Sequence, residues 1–155
     1  MPEKLTLESA IISIPVEIED KKDPSKVTDF VLNFDASDDV LMHATERMDA
    51  TQRKLNELQR QYHDLIAKGK DMDDADYPTA IAAINEGLRI QFDSDYGDGT
   101  YNALQAAGGG SSFVNMLGLY QQATEYVGIV LNRRIAKVQR KSANKKAKYF
   151  NKHRR

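Results

Sequence analysis

Apolar positions along this chain fall into blocks with different periods. The first block is short. Ile12, Ile14, Val16 and Ile18 alternate with Ser13, Pro15 and Glu17. A period of two puts one set of side chains on one face, so a half-buried strand is expected. EDKKDPSK, around Pro24, reads as a polar turn, and VTDFVLNF at 27–34 as a second strand that could close a hairpin with the first.

The second block has a helical period. Leu41, Ala44, Met48, Thr51, Leu55, Leu58, Tyr62 and Leu65 follow one another by alternating steps of 3 and 4. This heptad seam predicts one long helix over about 38–67. Asp35 and Ser37 are N-cap candidates, and Asp38 and Asp39 stand where the helix dipole favours negative charge. Gly69 is a candidate C-cap. Ala44 and Thr51 make the seam thin, which favours packing inside a small bundle over an autonomous zipper.

Further helical faces follow a polar connector, KGKDMDDADYP. Pro78 suits the first turn of a helix whose buried face is Ile81, Ile84, Leu88 and Phe92, with Ala80 beside them. Gly87 weakens that helix by up to about 1 kcal/mol relative to Ala, which suggests a close backbone approach. Gly97 and Gly99 mark a turn where positive φ is expected. Thr100 could cap a short helix ending at Gly108, and Ser111 or Ser112 the last helix. The core face of that helix reads as Phe113, Met116, Leu117, Tyr120, Val127, Val130 and Leu131. Beyond Arg134 the apolar pattern thins to Ile135 and Val138, so the helix should run on as a solvated basic rod or fray. The expected fold is mainly α: a small helical bundle with one long heptad-patterned helix, a short N-terminal β-hairpin or arm, and a basic C-terminal tail. The divisions are an arm at 1–28, a body at 29–141 and a basic flexible tail at 142–155.

Charge divides the chain more sharply than hydropathy does. Eleven of its 22 basic residues lie between Arg133 and Arg155, where there is no acid. Residues 1–132 hold the other eleven against all 23 acids, so the two parts carry −12 and +11. Two ends of opposite sign select different partners. The basic end could contact nucleic acid, dock on an acidic protein surface or on the acidic body of a neighbouring copy, or simply solubilise. It lacks the apolar face of a membrane-surface helix, and no segment has the ~18 apolar residues of a spanning helix. The apolar run at the N-terminus is broken by Pro15, so no signal peptide is expected.

Recognisable catalytic chemistry is sparse. There is no cysteine, and His43, His63 and His153 are scattered, which suits surface or structural roles better than metal ligation. Asp93, Asp95 and Asp98 invite a calcium-loop reading, but a loop starting at Asp93 needs Gly and Glu where Asp98 and Leu104 stand. GGGSS at 108–112 lacks the Lys and the strand of a phosphate loop. No catalytic, cofactor-binding or metal residue is nominated, and no enzyme activity or cofactor is expected.

Two segments carry a family likeness. One opens the long helix, with Leu32, Phe34, Asp35, Ala36 and Asp38 in FVLNFDASDD; the other is the turn with Phe92, Tyr96, Gly97, Asp98, Gly99 and Thr100 in FDSDYGDGT. With the Lys/Arg-rich end, the order of segments over most of 28–141 resembles tail assembly chaperones and related small tail-module proteins of phages and prophages of Gram-positive bacteria. The chain departs from them in its longer N-terminal arm and its Gly108–Gly110 run. The resemblance implies a non-enzymatic protein that covers the long helical tape-measure protein while tail-tube subunits polymerise. It also implies, for many relatives, a longer product made by ribosomal frameshift. Work of this kind belongs in the host cytoplasm during assembly.

Two other functions compete with this one. One is a structural tail component that oligomerises and stays in the virion. The other is a nucleic-acid-binding accessory protein. Partner contacts are expected at Leu55, Leu58 and Tyr62 on the seam, at Tyr120, and at Arg133, Arg134, Lys137, Arg140, Lys141, Lys145 and Lys146. The expected partner is a tape-measure or other tail protein, with a homo-oligomer possible, nucleic acid less favoured, and no membrane.

Overall fold

A computed structural model describes residues 3–108 and 112–153; of 142–144 and 146–153 it describes the backbone. The order of elements is β1 (Ile11–Glu19), β2 (Val27–Asp35), α1 (Asp38–Met42), α2 (Ala44–Gln61), α3 (His63–Lys68), α4 (Tyr77–Tyr96), α5 (Thr100–Ala106) and α6 (Phe113–His153). Helix accounts for 67% of the structure, so the single hairpin is a minor layer. The chain forms two compact units, Met1–Tyr120 and Gln121–Arg155.

In the first unit, β1 and β2 pair antiparallel, with Ile12 opposite Phe34, Ile14 opposite Leu32 and Val16 opposite Phe30. The period of two has the expected result. Ile12, Ile14, Ile18 and Leu32 are buried, while Ile11 and Val31 on the other face are exposed. Asp20 and Asp23 organise the polar turn: Asp20 Oδ1 accepts from Lys22 N and Asp23 N, and Asp23 Oδ1 from Ser25 N. Both strands belong to the hairpin, and β2 runs across the boundary drawn at 28–29.

Helix α4 is the centre of this unit and packs against α2, α5 and β2. Phe92 has no exposed surface. Its ring centroid lies 6.1 Å from Tyr96, 6.0 Å from Tyr101 and 5.3 Å from Tyr120, the last edge-on. Such aromatic contacts each add about 0.5–1.5 kcal/mol beyond burial of area. Leu88 and Phe92 are buried as expected, and so is Ile90, which the 3–4 spacing omits. Ile81 and Ile84, expected in the core, remain 42% and 41% exposed.

The single long helix expected over 38–67 is three helices. Breaks fall at His43 and Tyr62, whose φ, ψ are −101°, 13° and −108°, 22°. At His43 the cause is local. The ring Nδ1–H donates to Asp39 O at 2.8 Å, while the backbone N–H of His43 turns to Val40 O at 3.2 Å. The side chain takes the carbonyl that a continuous helix would use. At Tyr62 the backbone bonds Tyr62 N→Leu58 O and Ile66 N→Tyr62 O bridge the kink. A 3.5-residue seam drifts by about 20° per heptad on a straight helix, and with no second coil wound round it, short segments re-aim it. Between Met48 and Leu58 the helix is unbroken. Gly69 ends α3 at φ 52°.

Two caps differ from expectation. Ser37 occupies the N-cap position of α1 without a side-chain capping bond; its own N–H donates to Asp35 Oδ1 at 2.9 Å. That backbone bond holds the Asp35 carboxyl below its usual range. Thr100 is the first residue of α5, and its hydroxyl turns back to Gly97 O. The N–H of Tyr101, in the first turn of α5, donates to Asp93 Oδ1 at 3.1 Å, from the end of α4. Gly97 and Gly99 both have positive φ, at 106° and 86°.

At the start of α6, Ser112 Oγ accepts from Asn115 N at 3.4 Å; Ser111 and Gly109–Gly110 lie outside the described residues. Gly108 has φ 101° and accepts from Lys21 N at 3.1 Å through its carbonyl, so it meets the hairpin turn. Along α6, Met116, Ala123 and Val127 are buried, Phe113, Tyr120, Val130 and Leu131 are half-buried, and Leu117 is exposed. The helix continues to His153, through most of the segment set apart as a tail.

Candidate helix-binding site

Helices α2 and α3 approach α4 from one side only. The seam residues Ala44, Thr51, Leu55, Leu58, Tyr62 and Leu65 are half-buried, Leu41 and Met48 are exposed, and no residue of α2 or α3 is fully buried. Where the seam leaves α4, a cleft of about 260 Å³ opens. One wall is Leu58, Tyr62, Leu65 and Ile66. The facing wall is Ala80, Ala83 and Ile84, and Gly69 and Met72 close one end.

The sequence builds this cleft from small and large residues. Ala80 and Ala83 leave space on α4 that larger side chains would fill, and Ile84 presents the apolar surface below them. Ile66 is 59% exposed and Ile84 41%, so the walls are wetted apolar surface of the kind that marks interaction sites. Gly87 lies one turn further along α4 and faces Leu58. A Cβ there would lie 3.6 Å from Leu58 Cδ2, an ordinary contact and not a clash. The close backbone approach expected at Gly87 is therefore not seen: its one neighbour within 4 Å is the Leu58 side chain.

A charged clasp holds the end of the cleft. Lys68 Nζ lies 3.0 Å from Asp76 Oδ1 and 3.1 Å from Oδ2, joining α3 to the turn before α4. Gly69 and Met72 lie in the loop so closed. The Asp76 hydrogen bond raises the Lys68 pKa, and the Lys68 hydrogen bond lowers that of Asp76. Asp73 accepts from Ala75 N and Asp76 from Asp73 N, a reciprocal cap that fixes the turn.

Of the residues nominated from sequence, Leu58 and Tyr62 lie on this cleft. Leu55 lines a separate, smaller depression, with Met48, Gln91 and Asp95. Tyr120 is placed elsewhere in the unit: its ring packs on Phe92, and its hydroxyl donates to Asp95 Oδ2 at 2.5 Å and lies 3.2 Å from Gln91 Oε1. That is an internal anchor for α6, not a free contact surface. In the second unit Arg133, Lys137, Arg140, Lys141 and Lys145 are exposed and Arg134 is half-buried; the Lys146 side chain lies outside the described residues. Ile66, Met72 and Ala83 were not nominated.

The acidic turn is occupied by protein donors. Asp93 accepts from Tyr101 N and from Arg89 Nη1 at 3.4 Å, and Asp95 from Tyr120. Among the described residues, no three His, Asp or Glu side chains gather as metal ligands, and no helix is long and apolar enough to cross a membrane. No known protein family, curated protein or solved structure matches the chain.

Proposed function

We propose that this chain is a phage tail assembly chaperone that binds the tape-measure protein through the cleft between α2–α3 and α4. The observation that carries the reading is the cleft itself, an apolar groove walled by α2 and α3 on one side and α4 on the other and open to solvent. An amphipathic helix fills such a groove with anchors one and two turns apart. A tape-measure protein is long, helical and apolar in stretches, so before assembly it needs cover of this chemistry. The resemblance of the FVLNFDASDD and FDSDYGDGT segments to tail-module proteins supports the same reading.

Co-expression tests it. A tape-measure protein that is this chain's client is expected to aggregate alone and to stay in the supernatant with the chain present. The chain is expected to be missing from purified virions. A stoichiometric amount in virions would replace the chaperone by a structural tail component.

A further inference from the structure

We infer that in the free protein the cleft is occupied by the basic end of α6 from a second copy. The two surfaces are opposite in charge, and each carries exposed apolar side chains. Between Glu57 and Asp76, the stretch that carries one wall and the end of the cleft, six carboxylates face three cations. Two of those cations are already paired: Arg60 with Glu57 at 3.0 Å, and Lys68 with Asp76 at 3.0 Å. Asp64, Asp71, Asp73 and Asp74, all exposed, are left against Lys70, with His63 Nδ1 3.6 Å from Asp64 Oδ1. Asp64 adjoins the wall residue Leu65, and Asp71 and Asp73 flank Met72. The cleft is thus apolar inside and acidic at its rim.

The α6 end is the complement. Leu131, Ile135 and Val138 are spaced i, i+4 and i+7, which puts them on one stripe of the helix. Ile135 is 55% exposed and Val138 65%. Arg134 and Lys141 are the i−4 and i+3 neighbours of Val138, and Lys145 follows one turn on, so cations edge the apolar stripe. From Arg133 onward no acid opposes them. A helix with an apolar stripe and a basic edge fits a groove with apolar walls and an acidic rim. In the smallest closed form, each of two copies lends one helix end and one cleft. A client helix then enters by displacing the α6 end. The inference concerns the free protein, and its test needs no client.

The test is the mass of the full chain, freed of nucleic acid, by sedimentation. At low salt the wild type is expected at twice 17.5 kDa or more, falling toward 17.5 kDa on dilution or when salt shortens the screening length. Asp71→Lys/Asp74→Lys and Lys141→Glu/Lys145→Glu change exposed groups only. Each alone is expected to sediment as a monomer. An equimolar mixture of the two should regain the higher mass, because each copy then meets the opposite charge. Ile135→Asp should be monomeric with an unchanged melt. A wild type at 17.5 kDa at every concentration, whether its helix end is free or folded on its own chain, overturns the inference. So do charge-reversed variants that keep the wild-type mass, or a mixture that stays monomeric.

Discussion

Thr51 Oγ1 lies 2.6 Å from Ser94 Oγ, so the hydroxyl in the middle of the α2 seam is answered by a hydroxyl on α4. The pair sets the register of two helices that otherwise meet through half-buried apolar side chains. Thr51→Val and Ser94→Ala are each expected to cost about 0.5–1.5 kcal/mol, the usual net worth of one hydrogen bond. The double variant should lose less than the sum, because the second change removes a bond already broken. Urea unfolding of the four proteins measures this; additive losses would show that the hydroxyls do not couple.

Glycine substitutions should separate by backbone. Gly87 is helical, with ordinary room toward Leu58, so Gly87→Ala is expected to stabilise by up to about 1 kcal/mol. Gly97 and Gly99 sit at φ 106° and 86°, where a β-branched residue is strained. Gly97→Val and Gly99→Val should each destabilise by about 1–3 kcal/mol. Thermal melts would show one rise and two falls; a fall for Gly87→Ala would mean that the contact with Leu58 is tighter than 3.6 Å.

Acid should weaken the first unit through α4. Arg89 donates to both carboxylate oxygens of Glu86, through Nε at 3.0 Å and through Nη2 at 2.5 Å. This hydrogen bonding holds the Glu86 pKa below its ordinary 4.5, against a smaller opposing effect of burial. A carboxyl with a lowered folded pKa stabilises above the unfolded value and loses that contribution as pH falls through the folded one. The melting temperature should therefore drop as pH goes below about 4.5. In Glu86→Gln it should start lower at neutral pH and fall less steeply. Identical acid profiles for the two proteins would remove Glu86 from the account.

What could be read from the sequence follows from what periodicity encodes. Ile12, Ile14 and Ile18 disclosed the hairpin because only one-sided burial explains a period of two. The seam from Ala44 to Leu65 disclosed a shared face but not its continuity. The break at His43 comes from a ring N–H competing for one carbonyl, a contact to which spacing is blind. Periodicity also names a face without saying what covers it. Ile81 and Ile84 belong to the same pattern as Leu88 and Phe92, yet only the second pair is buried. Ile90 is buried off-pattern because α4 is enclosed by three elements. For the site, Leu58 and Tyr62 were legible as seam residues. Ala83 and Met72 were not, because the cleft is made by what α4 lacks opposite the seam.

Binding of tape-measure fragments to cleft variants tests the central claim most directly. Ile66→Asp puts a charge on an exposed wall, and Ala83→Phe fills the space facing it. With melts unchanged from wild type, each variant is expected to weaken binding by about tenfold or more, equivalent to roughly 1.4 kcal/mol. Wild-type affinity in both variants would contradict the claim that the cleft receives the partner helix.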